Sequence, residues 1–280
     1  MKKTSLLLIT LFLAAHASAA TVNNNFFINS RFIKDTFTVH APVTNHFSAG
    51  AEVSYTDHDY FDDKIYTFAL PVSHTSTYMQ TVLKPFYTHK ADDLYAFGIK
   101  AHMLMNMSID EGETVFMQAY ISAAFANQKA DLAYKDGTDT RENFKQLVYT
   151  LGVRRNFYNA FYFNMSGNIF QYPDGISHIG AVRSVLDQQE LANMQTYDVI
   201  FNLPKYSLGA SFSRKFESSA VIYLSYNFTE YYTARGDHSI IIGNEFPIYK
   251  NISGDLAYNH IISVNNKKRD IYKAGFTVRF

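Results

Sequence analysis

The side chains able to do chemistry are scattered along the chain. Asp57, His58 and Asp59, followed by Asp62 and Asp63, gather the oxygen ligands that calcium takes. Their spacing fits no EF-hand loop, and a solvated acidic loop is the preferred account of them. Asp237, His238 and Ser239 form a second local group. With Asp57 and His58 they supply the residue types of carboxylate–histidine hydrolysis, but the flanking sequence adds no support. His260 and Ser263 would make a base and a nucleophile only if they shared a face. Three residues apart on a strand, they do not. No phosphate-binding loop and no G-x-S-x-G elbow is present. Met103, Met105 and Met107 recur at every second position and read as apolar filler, not ligands. The chain has no cysteine, which excludes disulfides, thiol catalysis and cysteine-ligated zinc. Neither an enzyme nor a cofactor is expected. One set is more regular: Arg31, Glu52, Lys84, Lys100, His102, Arg154, Glu245, Asp255 and Lys273 each fall on the polar parity of an alternating segment.

That alternation runs through most of the chain. In 47–56, Phe47, Ala49, Ala51, Val53 and Tyr55 alternate with Ser48, Gly50, Glu52, Ser54 and Thr56. The pattern recurs over 65–72, 77–89, 94–109, 114–126, 144–155, 160–172, 219–229, 238–248 and 252–264. A period of two means a strand with one apolar and one polar face. Near the N-terminus, 25–33 and 36–43 alternate, Phe26, Ile28 and Phe32 share one parity, and Lys34-Asp35 is the expected turn. Pro71, Ser73 and His74 suggest another turn, since proline is unwelcome in a central strand. Residues 173–195 break the period, and Ile179, Val182, Leu186 and Leu191 have rough helical spacing. The expectation there is the longest loop, with a short helix. At Pro204 the phase slips, which a bulge or a tight turn would explain.

Connections tend to alternate in length. Longer ones fall at 57–63, 135–143, 173–195, 230–237 and 265–270, shorter ones near 110–113, 156–159, 215–218 and 249–251. Residues 1–19 read as a cleavable secretory signal peptide: Lys2 and Lys3, an apolar stretch over 6–14, then Ala17-Ser18-Ala19. Residues 20–280 then form a single domain, with no linker and no composition shift. Lys+Arg and Asp+Glu number 25 each, so losing Lys2 and Lys3 leaves a slightly acidic chain with no nucleic-acid signature. The 24 Phe and 21 Tyr stand beside no Trp, and no apolar run beyond the leader could span a bilayer as a helix.

The last segment, 271–280, joins these features. Tyr272, Ala274, Phe276, Val278 and Phe280 lie on one parity, and Lys273, Gly275, Thr277 and Arg279 on the other. It resembles the closing strand of bacterial outer-membrane β-barrels, in which Tyr272, Phe276 and the terminal Phe280 would be the assembly signal. The resemblance covers ten residues and points to no particular family within the class. It implies an all-β, antiparallel up-and-down transmembrane barrel of about 14 strands, with about 12 as the alternative. It also implies an outer-membrane location in a Gram-negative-type bacterium, and contact with outer-membrane lipids and the barrel-assembly machinery.

A barrel of that size lies between filled 8-stranded cylinders and open porins, so a narrow pore is possible. The nine charged and histidine positions above would line it, and five cations against three anions suggest mild anion preference. Three functions follow: a porin-like passive channel for small solutes or ions, a structural or adhesive surface barrel with a plugged lumen, or an outer-membrane hydrolase. Residues 173–195 separate the first two, since folding inward favours a plug. Oligomeric state is open.

Overall fold

The computed structural model describes residues 20–108, 116–157, 160–186, 191–192, 203–232, 236–263 and 268–280. They form one closed antiparallel sheet. Its strands are β1 (Thr21–Ile28), β2 (Phe32–Pro42), β3 (Phe47–His58), β4 (Ile65–Ala69), β5 (Val72–Thr75), β6 (Met79–Ala91), β7 (Leu94–Ser108) and β8 (Phe116–Tyr134). They continue as β9 (Asp139–Phe157), β10 (Phe161–Gln171), β11 (Ile179–Arg183), β12 (Pro204–Lys215), β13 (Val221–Tyr231), β14 (Asp237–Tyr249), β15 (Ile252–Ser263) and β16 (Lys268–Arg279). Fourteen staves make the cylinder, because β4 and β5 are halves of one stave and β11 stands outside the ring. Closure comes from β1 pairing with β16, from Thr21↔Arg279 to Ile28↔Tyr272. A closed ring leaves no strand edge without a partner, which hydrocarbon requires.

The outer face carries the apolar parity. Phe26, Leu208, Leu224, Ile240, Ile242, Leu256, Tyr272, Phe276 and Phe280 are all exposed large hydrophobics. In water such a surface would be a liability; against lipid it is the required one. Leu224, Ile242 and Tyr258 are direct cross-strand neighbours within it. Ile242→Arg is expected to cost about 2–4 kcal/mol in a bilayer, the price of an arginine near the midplane. Denaturant unfolding from lipid vesicles measures this, and an unchanged stability would show that the face does not meet hydrocarbon.

Several boundaries differ from the sequence reading. The first turn is 29–31, not Lys34-Asp35. Asn29 Oδ1 accepts from the backbone N–H groups of Arg31 (2.6 Å) and Phe32 (2.8 Å), fixing the reversal. Because the chain turns there, Phe32 points inward, unlike Phe26 and Ile28, and Lys34 becomes an interior residue. Pro71 does not end a strand. The register to β3 and β6 is unchanged across it, and only the local ladder is interrupted, since proline has no N–H to give. That stave instead reverses at 76–78. Tyr206 follows a bulge after Pro204, the slip seen in the sequence. β8 and β9 run on to a turn at 135–138, and Ile179–Arg183, expected in a loop with helical spacing, is a strand. The expected signal peptide and the expected 110–113 turn lie outside the described residues, as does part of the expected helix.

Among the described residues, the connections 29–31, 59–64, 135–138 and 172–178 share one rim, the loop end. Ala20 and Phe280 lie at the other, the turn end, where Phe280 N–H donates to the Ala20 carbonyl at 2.8 Å. β7 pairs with β8 only as far as Tyr95↔Lys129. Beyond that, β11 takes the vacated edge of β8, from Arg183↔Asp131 to Ile179↔Tyr134. The result is a three-stranded flap of β9, β8 and β11 projecting past the ring.

Candidate functional site: the lumen and its inserted segment

The chain after β11 turns into the barrel. Val185, Leu186 and Leu191 are buried, and with Lys34, Glu52, Ile65, Lys84, Phe86 and Lys100, from the staves β2 to β7, they line a cavity of about 50 Å³. The wall beneath the segment is apolar on its inner face: Ala96, Ala124, Ala126, Val148 and Phe170 belong to the same buried cluster. Ser184 donates a short hydrogen bond to Gln128, which donates to Gln146 at 3.1 Å. Leu186 N–H donates back to Ser184 Oγ at 3.0 Å. Val185, Leu186 and Leu191 are therefore packed, and Ser184 and Leu186 hydrogen-bonded, inside the lumen.

At the flap, Arg183 binds Asp131 through Nη2 (2.6 Å) and Nε (2.9 Å). Its Nη1 donates to Asp92 at 3.2 Å and to the Tyr60 carbonyl at 3.0 Å. The guanidinium also lies 5.4 Å from the Phe61 ring. Asp131 accepts from Arg141 Nε at 2.6 Å as well. Burial alone would raise the Asp131 carboxyl, but hydrogen bonds from Arg141 and Arg183 outweigh it and hold it below the usual carboxylate range.

Toward the turn end the lumen widens into a polar vestibule of about 330 Å³, whose lining includes Arg154, Glu245, Tyr162, Asn164 and Tyr223. Two tyrosines lie flat on the wall here. Tyr223 on β13 crosses Gly243 on β14 and donates to Asp255 on β15 at 3.1 Å. Tyr120 on β8 crosses Gly152 on β9 and donates to Asn164 on β10 at 3.0 Å. Gly243 and Gly152, having no side chain, make room for these rings. Hydroxyl and amide groups link sideways in the same manner, as from Thr150 to Asn168 (2.6 Å) and Asn168 to Ser207 (2.9 Å).

The residues singled out in the sequence fall as follows. Glu52 accepts from Lys84 at 2.7 and 2.9 Å. Lys100 lines the cavity beside them. Lys273 is ion-paired to Asp255, and His102 faces the Tyr120 ring at 5.6 Å. Arg154 and Glu245 line the vestibule together. Arg31 differs: it is exposed in the 29–31 turn and donates to the Tyr60 hydroxyl at 2.7 Å. Lys34 was missed because two adjacent charges imitate a turn. Tyr272, Phe276 and Phe280 face outward.

The local clusters do not assemble. His58 is buried and stacked on Phe32, whereas Asp57 pairs with Lys64 at 3.3 Å. Asp237 pairs with Arg269 at 2.7 Å, His238 meets Tyr226 at 2.6 Å, and Ser239 donates to Asn259 at 2.7 Å. His260 pairs with Asp270 at 2.7 Å, outside the barrel. Among the described residues no three His, Asp or Glu side chains are grouped to hold a metal.

The fold is that of the outer-membrane β-barrels. No family model matches the chain, and no curated protein does. Solved structures do. The CymD monoaromatic hydrocarbon channel aligns with a TM-score of 0.58 at 7% identity, covering 98% of this chain and 92% of that one. OprB of Pseudomonas putida aligns at 0.50 and 6% identity, covering 94% and 93%. CdiB from Acinetobacter baumannii aligns at 0.51 and 8% identity, covering 94% of this chain and 60% of that one.

Proposed function

We propose that the protein is a passive channel for small solutes in an outer membrane, exported by a leader over residues 1–19 and selective for anions. The carrying observation is the lining of the cavity under the inserted segment: Lys34, Lys84 and Lys100 against the single carboxylate of Glu52. Charge in a narrow lumen sets ion selectivity, because few waters remain to screen it. A fold shared with channels is consistent with this reading.

Planar-bilayer recordings under a salt gradient test it. The reversal potential should show anion preference, and the double substitution Lys34→Glu, Lys100→Glu should reverse its sign. A folded barrel without conductance would overturn the channel reading. It would favour instead a surface barrel with a plugged lumen, which the packing of Val185, Leu186 and Leu191 supports.

A further inference from the structure

The cavity under the inserted segment has a lining that a water-filled pore does not need. Lys34, Lys84 and Lys100 bring ammonium groups to it and Glu52 one carboxylate, which accepts from Lys84, while Ile65 and Phe86 bring an apolar wall, and Leu186 and Leu191 close it. Lumens of open porins are polar. Here the inner wall toward the loop end is apolar, and the segment's own side chains cover it. Three ammonium groups against one carboxylate are more positive charge than a wall built only to receive the segment would carry.

Resting on the channel reading above, we infer that the solute is an amphipathic organic anion: a carboxylate carrying one aromatic ring or a short alkyl chain. The carboxylate meets the lysines. The ring or chain takes the place of Leu186 and Leu191 against Ile65 and Phe86. A hydrophilic anion would gain only the charge interaction, and a neutral hydrocarbon only the apolar contact. At about 50 Å³ the enclosure holds water but not a ring, so occupancy and displacement of the two leucines are coupled. Leu186 and Leu191 act as resident competitors, imitating the apolar half of the solute.

The test uses the whole folded protein in lipid nanodiscs with three probes: benzoate, acetate and benzyl alcohol. Saturation-transfer NMR reads binding without requiring conductance. Benzoate should bind saturably and at least tenfold more tightly than either other probe. That margin should disappear in Lys34→Gln, Lys100→Gln protein that retains heat-modifiable migration. If the double variant does not fold, the three-probe comparison on the unaltered protein decides. Benzoate binding no tighter than acetate would overturn the inference by making the apolar wall irrelevant. Binding no tighter than benzyl alcohol would overturn it by making the lysines irrelevant. The two readings fail separately: benzoate binding by a non-conducting barrel upholds the ligand class and sinks the channel, and a conducting barrel indifferent to benzoate does the reverse.

Discussion

Arg183→Ala is expected to raise single-channel conductance several-fold, with long open events in place of a closed or low-conductance baseline. Arg183 ties β11, from which the inserted segment continues, to three other places: Asp131 on β8, Asp92 in the β6–β7 turn and the Tyr60 carbonyl beyond β3. The group is partly screened, with Arg183 and Asp131 side chains 34% and 29% exposed. Its loss is therefore closer to a charge-assisted surface network than to a buried ion pair, about 1–3 kcal/mol. That shifts a two-state population by roughly 5- to 150-fold, enough to change the open fraction even while Leu186 and Leu191 still favour insertion. Arg183→Lys should be intermediate, because an ammonium keeps the charge but loses the fork that holds Asp131 by two nitrogens. Identical conductance in all three proteins would show that the segment is not held from the flap. The pH dependence follows from Asp131. Its native value is depressed, so its contribution is complete above the ordinary carboxylate value of about 3.9 and is lost as pH falls through the lower native one. Acid should release the latch only in strongly acidic solution, and mild acidification should not.

Gly243→Ala should destabilise the barrel by about 1–3 kcal/mol and reduce conductance, whereas Gly167→Ala should do neither. A Cβ at Gly243 would sit 2.1 Å from Tyr223 Cζ and 2.3 Å from its hydroxyl oxygen. Those separations are far inside contact distance, so the ring must leave the wall. It then loses its hydrogen bond to Asp255 and swings into the vestibule that it lines. At Gly167 the nearest atom to an added Cβ is Leu208 Cδ2 at 3.4 Å, which a small side-chain adjustment relieves. Denaturant unfolding and bilayer recording of the matched pair decide the matter. Equal behaviour would mean that Tyr223 has room the structure does not show. Gly152, with Tyr120 Cζ at 2.2 Å, offers the same experiment four staves away.

The outer wall was legible in the sequence because a bilayer imposes one rule on every stave. Phe280, Phe276 and Tyr272 on β16 and Leu256 and Tyr258 on β15 obey the same parity, as do Ile240 and Ile242 on β14. Inward charges such as Glu52 and Lys84 were legible as a parity, but not as a pair. They lie on β3 and β6, two staves apart, and only the register brings them to 2.7 Å. Lys34-Asp35 looked like a turn because adjacent charges usually are exposed. In the barrel they face opposite ways, Lys34 to the cavity and Asp35 outward to Asn24 at 2.6 Å. Asn29 was the signal available, a side chain suited to capping the backbone two residues on. β11 had no such signal. Its partner is an edge that exists only because β7 ends before β8 does. Ile179, Val182, Leu186 and Leu191 are spaced as on a helix, yet they are buried by an enclosure that local periodicity does not describe.

An even number of crossings returns a chain to the side from which it set out. Ala20 and Phe280 accordingly meet at the turn-end rim, and the opposite rim is made wholly of internal sequence. The barrel thus has an addressed side and an anchored side. A tag fused after Phe280 stands at the turn-end rim and reaches the far side only by threading the lumen. A tag placed in the 135–138 turn, at the tip of the β8–β9 hairpin, stands on the far side, clear of the cylinder. Labelling at the two places by a membrane-impermeant reagent therefore reads the protein's orientation directly.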